Sequence, residues 1–335
     1  MGGASHGDRF DMQWLSAAIA LSERGRPASA PNPNVGCLII KDSQMVGRGW
    51  TQAGGRPHAE AMALAQAGSA ASGATLYATL EPCAHHSVRG PSCADLIIAA
   101  GLARVVIAVQ DPDPRTCGEG IARIRAAGIM VTVARQRRAE AIRAMAPWWT
   151  RQHHHRPYIS LKLATSLDGC IAMADGSSRW ITGARARAHG HLERARHQAI
   201  LVGRGTYDAD QPQLDVRLAG LEARSPVRLL LSSAANNEAP AGWTQVSNPQ
   251  QVADLPAIDS LLIEGGASAA SAFLRLDWVD RLLLYRAPIL IGEGRRCLGD
   301  IGLGQLDEAH GRWALADRRA LGSDLLEVYE RIRKE

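Results

Sequence analysis

The sequence predicts an α/β protein built from two domains, and three observations lead to that prediction. The chain has 335 residues, which is long for one average domain and suits two. Its first part alternates strand-like apolar runs with alanine-rich helical runs, as in a sheet layered with helices. Residues 135–158 interrupt this alternation with an arginine-rich stretch. We therefore place a boundary near residue 150, giving domains 1–150 and 151–335.

The elements of the first domain follow one another closely. Residues 14–21 have the pattern of an amphipathic helix, and residues 35–41 and 45–51 predict a strand pair. The elements predicted after them are a helix from His58, a strand at 74–80, a helix from Cys93, a strand at 104–109, a helix at 120–127 and a strand at 129–134. Such alternation favours a sheet with functional residues at the ends of its elements.

One histidine and two cysteines have the residue types of a catalytic zinc site. His58 and Glu60 form a His-Ala-Glu motif, and Cys83 follows a proline, with Cys93 further on. One imidazole and two thiolates leave the fourth tetrahedral position open for water. Glu60 is placed to carry protons without binding the metal. Zinc-dependent nucleobase deaminases share this pattern, but nine residues separate Cys83 from Cys93 where their signature has C-x-x-C.

Each piece of this pattern has an ordinary alternative explanation. A His-Ala-Glu tripeptide is common by chance, and a single cysteine is usually a small buried apolar residue. Context favours the metal: His58 begins a predicted helix, Cys83 follows a predicted strand, and Cys93 begins another helix that Gly101 closes. Helix starts stabilise thiolates. We therefore predict zinc binding.

Composition and charge narrow the class of protein. The chain is 46% hydrophobic and 21% charged, so it can bury full cores. The net charge of +5 is mildly basic, but the arginines are dispersed and form no stripe with aromatic residues, so we expect no nucleic-acid partner. A phosphorylated small substrate or a dinucleotide suits these arginines better. His153–His155 fit no single helix face, and we interpret their surroundings as a solvated linker.

The sequence also carries indications of its compartment. It has no run of 18 apolar residues, so we expect no membrane span, and its first residues lack the pattern of a signal peptide. The four cysteines outside the zinc pattern show no paired spacing. A reducing cytoplasm is consistent with that usage.

A glycine pair marks the second domain. Residues 260–263 predict a strand, and Glu264, Gly265 and Gly266 lead into a helical run of small residues. Adjacent glycines at such a turn let backbone N–H groups approach a phosphate. A plain tight turn is the alternative, and the pattern is not the six-residue dinucleotide fingerprint. The residues alone leave both interpretations open.

Longer motifs are spread over both halves of the chain. They are NPNVGC at 32–37, PHAE at 57–60, TLEPCAHH at 79–86, QDPDP at 110–114, SLKLATSLDG at 160–169 and SRWITG at 178–183. With them the chain resembles, over nearly its full length, the bifunctional deaminase/reductase family of riboflavin biosynthesis.

The resemblance implies two folds and two consecutive reactions. The first domain would be a cytidine-deaminase-like layered α/β domain, which removes the 2-amino group of 2,5-diamino-6-(5-phosphoribosylamino)pyrimidin-4(3H)-one with zinc. The second would be a dihydrofolate-reductase-like α/β domain. It would use NADPH to reduce the ribosyl side chain of 5-amino-6-(5-phosphoribosylamino)uracil to ribityl. The implied partners are these phosphorylated pyrimidines and further copies of the chain, as a dimer or tetramer.

The resemblance also assigns residues. The zinc ligands would be His58, Cys83 and Cys93, and Glu60 would be the catalytic proton carrier. Residues facing NADPH would be Ala164, Trp180, Thr206, Asp210, Gly266, Ala267, Ser268, Ala269, Ala270, Ser271 and Ala272. Residues facing substrate would be Arg89, Ser178, Arg194, Leu214, Arg217 and Glu264.

The chain departs from the family pattern in two places. The loop between the two cysteines is one residue longer, and Arg89 takes the place of its basic residue. In the motif at 210–217, Gln211 and Asp215 replace an acid and a threonine.

Two other functions stay open from the residues. A deaminase of tRNA or single-stranded nucleic acid would use the same zinc set, but would leave residues 150–335 unexplained. A zinc-stabilised binding protein without catalysis would have no use for Glu60 or for an open metal position.

Overall fold

The computed structural model describes residues 6–85, 90–233 and 239–333. The chain divides into two units, residues 1–155 and 156–335, and each unit has its own mixed sheet flanked by helices. The predicted α/β class is therefore confirmed. In the described part of the chain, none of the helices combines the length and the apolar character that crossing a membrane requires.

The first unit is built on a five-stranded sheet with the order β2-β1-β3-β4-β5. Its strands are β1 (Gly36–Lys41), β2 (Gln44–Trp50), β3 (Thr75–Ala78), β4 (Arg104–Ile107) and β5 (Met130–Val133). Strand β1 is antiparallel to β2 and β3, whereas β3, β4 and β5 are parallel. Its helices are α1 (His6–Ser22), α2 (Ala59–Ala67), α3 (Cys93–Ala99), α4 (Glu119–Ala126), α5 (Arg138–Ala144) and α6 (Ala146–His154).

Close packing between β2 and α2 fixes where the metal-binding motif lies. A Cβ atom on Gly49 would be 2.3 Å from the carbonyl oxygen of Ala59, the first residue of α2. Glycine therefore allows the helix to approach the strand more closely than any other residue would. This contact positions the start of α2, where His58 and Glu60 lie.

The stretch predicted as a solvated linker is instead mostly helical. Helices α5 and α6 occupy it, and Trp148 is only 8% exposed because its ring joins the core of the first unit. The three histidines His153–His155 are exposed, as expected. Burial of Ala141, Met145 and Trp148 in that core thus holds the segment in the first unit, which ends at His155.

The second unit contains an eight-stranded sheet with the order β10-β9-β8-β11-β6-β12-β15-β14, and a small sheet of β7 and β13. The strands are β6 (Tyr158–Thr165), β7 (Cys170–Ala172), β8 (Ala199–Gly203), β9 (Val227–Leu231), β10 (Trp243–Val246), β11 (Ser260–Glu264), β12 (Val279–Arg286), β13 (Arg295–Arg296), β14 (Trp313–Leu321) and β15 (Asp324–Arg331). The helices are α7 (Ala184–Ala195), α8 (Arg204–Asp210) and α9 (Ala267–Arg275).

The strand order reverses direction beside β8. The chain runs outward from β8 through β9 to β10, then returns to form β11 on the other side of β8. All strands from β10 to β12 in the sheet order are parallel, so their carboxyl ends lie along one edge. In open α/β sheets a reversal of this kind leaves a crevice at the carboxyl edge, where ligands bind.

Candidate zinc centre and cofactor cavity

The three predicted zinc ligands meet in the first unit. His58 directly precedes α2, Cys83 lies in the loop after β3, and Cys93 is the first residue of α3. The Nδ1 atom of His58 is 3.6 Å from Sγ of Cys83 and 3.3 Å from Sγ of Cys93. All three donor atoms lie within 4.8 Å of one another. One nitrogen and two sulfurs converging in this way fit the donor set of zinc.

The two cysteines are joined by hydrogen bonds. The thiol and backbone N–H of Cys93 both point at Sγ of Cys83, the N–H at 3.3 Å. The thiol hydrogen bond is the main cause that lowers the pKa of Cys83, to about 4, against the opposing effect of burial. The same hydrogen bond, with burial, raises the pKa of Cys93. The pair therefore carries a thiolate at neutral pH, which is the form that binds metal.

Glu60 is buried beside the ligands. It is 3% exposed and lies in the first turn of α2. Burial raises the pKa of its carboxyl group, and the positive charge of His58 only partly opposes this. A carboxyl group that holds a proton more tightly than usual is suited to accepting and returning one.

Asn32 fixes the histidine ring and was missed from the sequence. Its Nδ2 atom donates to the carbonyl oxygen of Gly55 (3.0 Å) and lies 3.1 Å from Nε2 of His58. A contact to the far ring nitrogen orients a ligating histidine. Asn32 lies in one of the quoted motifs, next to a proline, but spacing along the chain does not reveal a partner 26 residues away.

Glu81 anchors the loop that follows β4. Its Oε2 atom accepts hydrogen bonds from the N–H groups of Asp111 (3.2 Å) and Gly118 (3.1 Å), and its Oε1 atom accepts one from Ile121 (3.1 Å). Asp111 itself is buried, and burial raises the pKa of its carboxyl group to about 6. Cys83 is two residues from Glu81, so one side chain ties this loop and the start of α4 to a predicted metal ligand.

The predicted basic residue of the cysteine loop, Arg89, lies outside the described residues.

The second unit holds a cavity of about 1200 Å³ at the carboxyl edge of its sheet. Predicted cofactor residues that line it are Ala164, Trp180, Thr206, Asp210, Gly266, Ala267, Ser268 and Ala269. Predicted substrate residues that line it are Ser178, Arg194, Leu214, Arg217 and Glu264. The structure thus gathers residues from strands, helices and loops into one space large enough for a dinucleotide and a sugar phosphate.

Three residues predicted to face the cofactor are not among those that line the cavity: Ala270, Ser271 and Ala272. Ala270 is fully buried, and its N–H donates to the carbonyl oxygen of Gly266 inside the helix. Ser271 is also buried, and its hydroxyl accepts the N–H of Gly299. A helix presents only its first turn to a ligand at its N-terminus, so residues further along α9 turn away.

The glycine pair before α9 fits a diphosphate. Gly265 and Gly266 have φ values of 83° and 79°, which favour glycine, and a Cβ atom on Gly266 would be 2.8 Å from Oγ1 of Thr206. The positive φ and the nearby Thr206 hydroxyl therefore require glycine at this turn, and the N-terminus of the nine-residue helix that follows attracts anions. These features favour phosphate binding over the alternative of a plain turn.

A charged cluster lies on the cavity wall. Arg194 donates from Nε and Nη2 to the two carboxylate oxygens of Glu264, both at 2.8 Å, and Nζ of Lys162 is 3.9 Å from Glu264. Burial would raise the pKa of Glu264, but Lys162 and Arg194 hold it at about 2. Lys162 was missed, although a lysine inside the apolar run of β6 was a usable signal.

Two family models match the chain. The cytidine and deoxycytidylate deaminase zinc-binding region matches residues 8–109, and the RibD C-terminal domain matches residues 157–326. The first model contains all three metal-site residues, and the second contains the cavity.

Full-length relatives are similar along both halves. The riboflavin biosynthesis protein RibD of Escherichia coli K12 is 37% identical, and the alignment covers 94% of this chain and 98% of that protein. A solved structure of Acinetobacter baumannii RibD is 34% identical with a TM-score of 0.86, covering 97% of this chain and all of the other. A Thermotoga maritima structure, described as a diaminohydroxyphosphoribosylaminopyrimidine deaminase/5-amino-6-(5-phosphoribosylamino)uracil reductase, is 30% identical. It also has a TM-score of 0.86, with 98% of this chain and all of the other covered.

Proposed function

We propose roles for individual residues in the two reactions of this chain, which belongs to the RibD family of bifunctional deaminase/reductases of riboflavin biosynthesis. Family membership confirms the predicted zinc-dependent deaminase and NADPH-dependent reductase activities, and with them both cofactors. It also confirms a cytidine-deaminase-like first domain and a reductase second domain. Neither a nucleic-acid deaminase nor a non-catalytic zinc protein accounts for similarity along both halves.

In the deaminase, His58, Cys83 and Cys93 hold the metal and Glu60 moves the proton. The observation that carries this assignment is the convergence of the three donor atoms within 4.8 Å, with Glu60 buried beside them. When bound, zinc supplies the Lewis acid that lets water act as a nucleophile near neutral pH. Glu60 takes up the proton that the nucleophile loses and returns it to the amine that leaves as ammonia. Asn32 keeps the ring of His58 oriented throughout.

Glu60→Gln tests the proton role. The amide keeps the size of the side chain but neither accepts nor returns the proton, so ammonia release should fall at least ~100-fold. Zinc content, measured by metal analysis, should stay at the parental level. NADPH oxidation by the same chain is the internal control for folding. Deamination at the parental rate would contradict the assignment.

Cys83→Ser tests the ligand role separately. Replacing a thiolate by a weakly acidic hydroxyl should lower zinc content and abolish ammonia release. Reduction of substrate that is already deaminated should persist, because the second unit has its own core and its own cavity. Loss of both activities in a folded variant would contradict two independent sites.

In the reductase, the cofactor occupies the crevice beside β8 and β11. Its diphosphate lies at the start of α9, over Gly266, and its nicotinamide lies near Ala164, Trp180, Thr206 and Asp210. When bound, NADPH supplies the hydride for reduction of the sugar. The helix N-terminus at Gly266, which lines the cavity, supports this placement, as does the reversal of strand order beside it.

The sugar phosphate lies on the arginine side of the cavity, with Ser178, Leu214 and Glu264 facing the substrate. Arg194 uses three of its five N–H donors on Glu264 and on the carbonyl oxygen of Asp215, which leaves two for a phosphate. The side chain of Arg217 is 64% exposed and pairs loosely with Asp215 at 3.4 Å. Such a pair costs little to exchange for a phosphate, which guanidinium binds in a bidentate fork.

Gly266→Val tests the cofactor placement. A branched side chain at this position would clash with the Thr206 hydroxyl, which lies 2.8 Å from the Cβ position, and would distort the turn that presents the helix N-terminus to the diphosphate. The Kd for NADPH in a fluorescence titration should therefore rise at least ~10-fold. Gly220→Val is the matched control, because Gly220 also has positive φ but is exposed with nothing near its Cβ position. Equal affinity in the two variants would contradict the placement.

The finer partner and compartment assignments complete the proposal. The substrates are phosphorylated pyrimidines, no nucleic acid takes part, and the chain works in the cytoplasm as a homo-oligomer, a dimer or tetramer. Strand β14, at one end of the described sheet, is mostly exposed over nine residues, and such an edge invites pairing. None of the six cysteines, all of which lie in the described residues, forms a disulfide, as is usual in a reducing compartment. Light scattering coupled to size exclusion measures the oligomeric state, and a monomer would contradict it.

A further inference from the structure

A histidine without an assigned role lies between two arginines of the cavity wall. His191 is on α7, and residues three or four positions apart on a helix share one face. Arg187, His191 and Arg194 have that spacing, and all three line the cavity. His191 therefore lies on the arginine side of the cavity, where the sugar phosphate is placed.

One ring nitrogen of His191 is held by the segment that carries Arg217. Nδ1 of His191 is 3.0 Å from the carbonyl oxygen of Asp215 and 3.3 Å from the backbone nitrogen of Arg217. The shorter contact places a proton on Nδ1, which donates it to the carbonyl oxygen. Nη1 of Arg194 donates to the same oxygen at 3.0 Å. His191 and Arg194 thus hold the turn that brings Arg217 to the cavity.

The other ring nitrogen, Nε2, has no hydrogen-bond partner in the part of the chain that the structure describes. With a proton on Nδ1, the neutral ring presents a lone pair at Nε2, and a second proton there makes the ring a cation. Burial lowers the pKa of His191, and the charges of Arg194 and Arg217 lower it further. The carbonyl group of Asp215 and the charge of Glu264 oppose this only in part. The ring is therefore neutral at pH 7.

A phosphate group beside His191 reverses this balance. Its negative charge offsets that of the two arginines, and its oxygens accept a hydrogen bond from a protonated Nε2. The third cation of the stripe, Arg187, is engaged elsewhere, because it donates to the carbonyl oxygen of Thr182 at 2.6 Å and lies over the ring of Trp180. A ligand that favours the charged form of a group is bound together with a proton, since the two bindings are linked.

We propose that His191 is a third ligand of the substrate phosphate, beside Arg194 and Arg217, and that it takes up a proton when the sugar phosphate binds. The ligand class is a phosphate monoester in its dianionic form. The arginines keep their charge at every pH at which the protein is folded, so His191 makes this site sensitive to pH. The inference rests on the proposed placement of the sugar phosphate.

Titration calorimetry of the full chain measures the proton uptake directly. The probes are the phosphorylated ribityl product of the reductase and the same compound without its phosphate, each in buffers that differ in ionisation enthalpy. At pH 7 the phosphorylated product should bring at least ~0.3 proton per site, and the other compound none. A phosphate monoester, with a second pKa of about 6, can only release protons when it binds as a dianion, so a net uptake comes from the protein.

Two substitutions separate the charge of His191 from its backbone contact. His191→Asn keeps a donor near the carbonyl oxygen of Asp215 but removes Nε2, and His191→Gln places a neutral amide where Nε2 lies. Both should abolish the uptake and raise the Kd of the phosphorylated product about 10-fold, with the Kd of the other compound unchanged. His189→Gln is the matched control and should behave like the parent. His189 lies on the same helix and burial lowers its pKa as well, but it is not among the residues that line the cavity.

Each other outcome overturns the role of His191. Absence of uptake in the parent, or parental uptake in both His191 variants, would remove the histidine from the phosphate. Equal weakening of the two compounds would leave His191 only the task of holding the turn at Asp215. Arg217→Gln tests the phosphate placement separately: parental affinity for the phosphorylated product would overturn that placement. If Arg217→Gln weakens the phosphorylated product while both His191 variants bind it like the parent, the placement stands and only the role of His191 fails.

Discussion

Replacing Glu81 by glutamine should weaken the first unit substantially although it removes no metal ligand. The carboxylate accepts three backbone hydrogen bonds, two on Oε2 and one on Oε1, and the side chain is 2% exposed. A glutamine amide has only one oxygen, so its NH2 group must face at least one of the three N–H donors. The arrangement that loses fewest hydrogen bonds places the NH2 group opposite the N–H of Ile121. An unsatisfied buried donor costs about 1–3 kcal/mol, and the two remaining bonds lose their charge assistance. The expected loss is about 2–4 kcal/mol.

Differential scanning calorimetry measures this loss, because the two units should unfold in separate transitions. At roughly 2–4 °C per kcal/mol for a unit of this size, the first transition should fall by roughly 4–16 °C and the second should not move. Glu119→Gln is the matched control: it makes the same change at an exposed site in the first turn of α4, the helix whose start Glu81 binds, where about 0.3–1 kcal/mol is at stake. If the first transition has the same melting temperature in Glu81→Gln and Glu119→Gln, Glu81 does not anchor the loop.

Three further predictions concern pH and metal. Burial raises the folded-state pKa of Asp111 to about 6, so its protonated carboxyl group stabilises the first unit below pH ~4, and this stabilisation is lost as the pH rises to 6. Asp111→Asn should remove this loss of stability and raise the first melting temperature at pH 7. Burial opposes ionisation of Glu264, but Lys162 and Arg194 depress its folded-state pKa to about 2, so the carboxylate stabilises the second unit above pH ~4.5, and this stabilisation is lost as the pH falls to 2. Glu264→Gln should make the second melting temperature depend less on pH over that acidic range. A zinc chelator should lower the first melting temperature and stop ammonia release, whereas NADPH oxidation should continue. Parental pH profiles in either variant, or loss of reduction with chelator, would contradict these predictions.

The zinc centre could be predicted because its ligands lie where local patterns change. His58 stands at a helix start, Cys83 after a strand and Cys93 at another helix start, and each boundary was visible in the sequence. Boundaries of this kind depend on propensity and capping within a few residues. Their convergence in space follows from the α/β alternation that the same patterns predicted.

Contacts between distant segments could not be predicted in this way. Glu81 accepts a hydrogen bond from Ile121, 40 positions further along the chain, and Arg194 donates hydrogen bonds to Glu264, which is 70 positions away. Neither pair leaves a periodic signal, and no charge pattern distinguishes Arg194 from the other arginines of the chain. The linker prediction was wrong for the related reason that burial of Trp148 depends on a distant core.

The cofactor cavity could not be predicted from the sequence chiefly because the sequence does not reveal the order of the strands in the sheet. Hydrophobic runs reveal which residues end each strand, so Gly266 was recognisable after β11. They do not reveal that β11 lies between β8 and β6, the neighbour relation that brings residues following these three strands to one cavity. In sequence, Arg204 and Gly266 are far apart, whereas in the structure they lie just beyond the carboxyl ends of two neighbouring strands, β8 and β11. The order of the strands therefore brings together the residues that line this cavity, and no single motif of the sequence records that order.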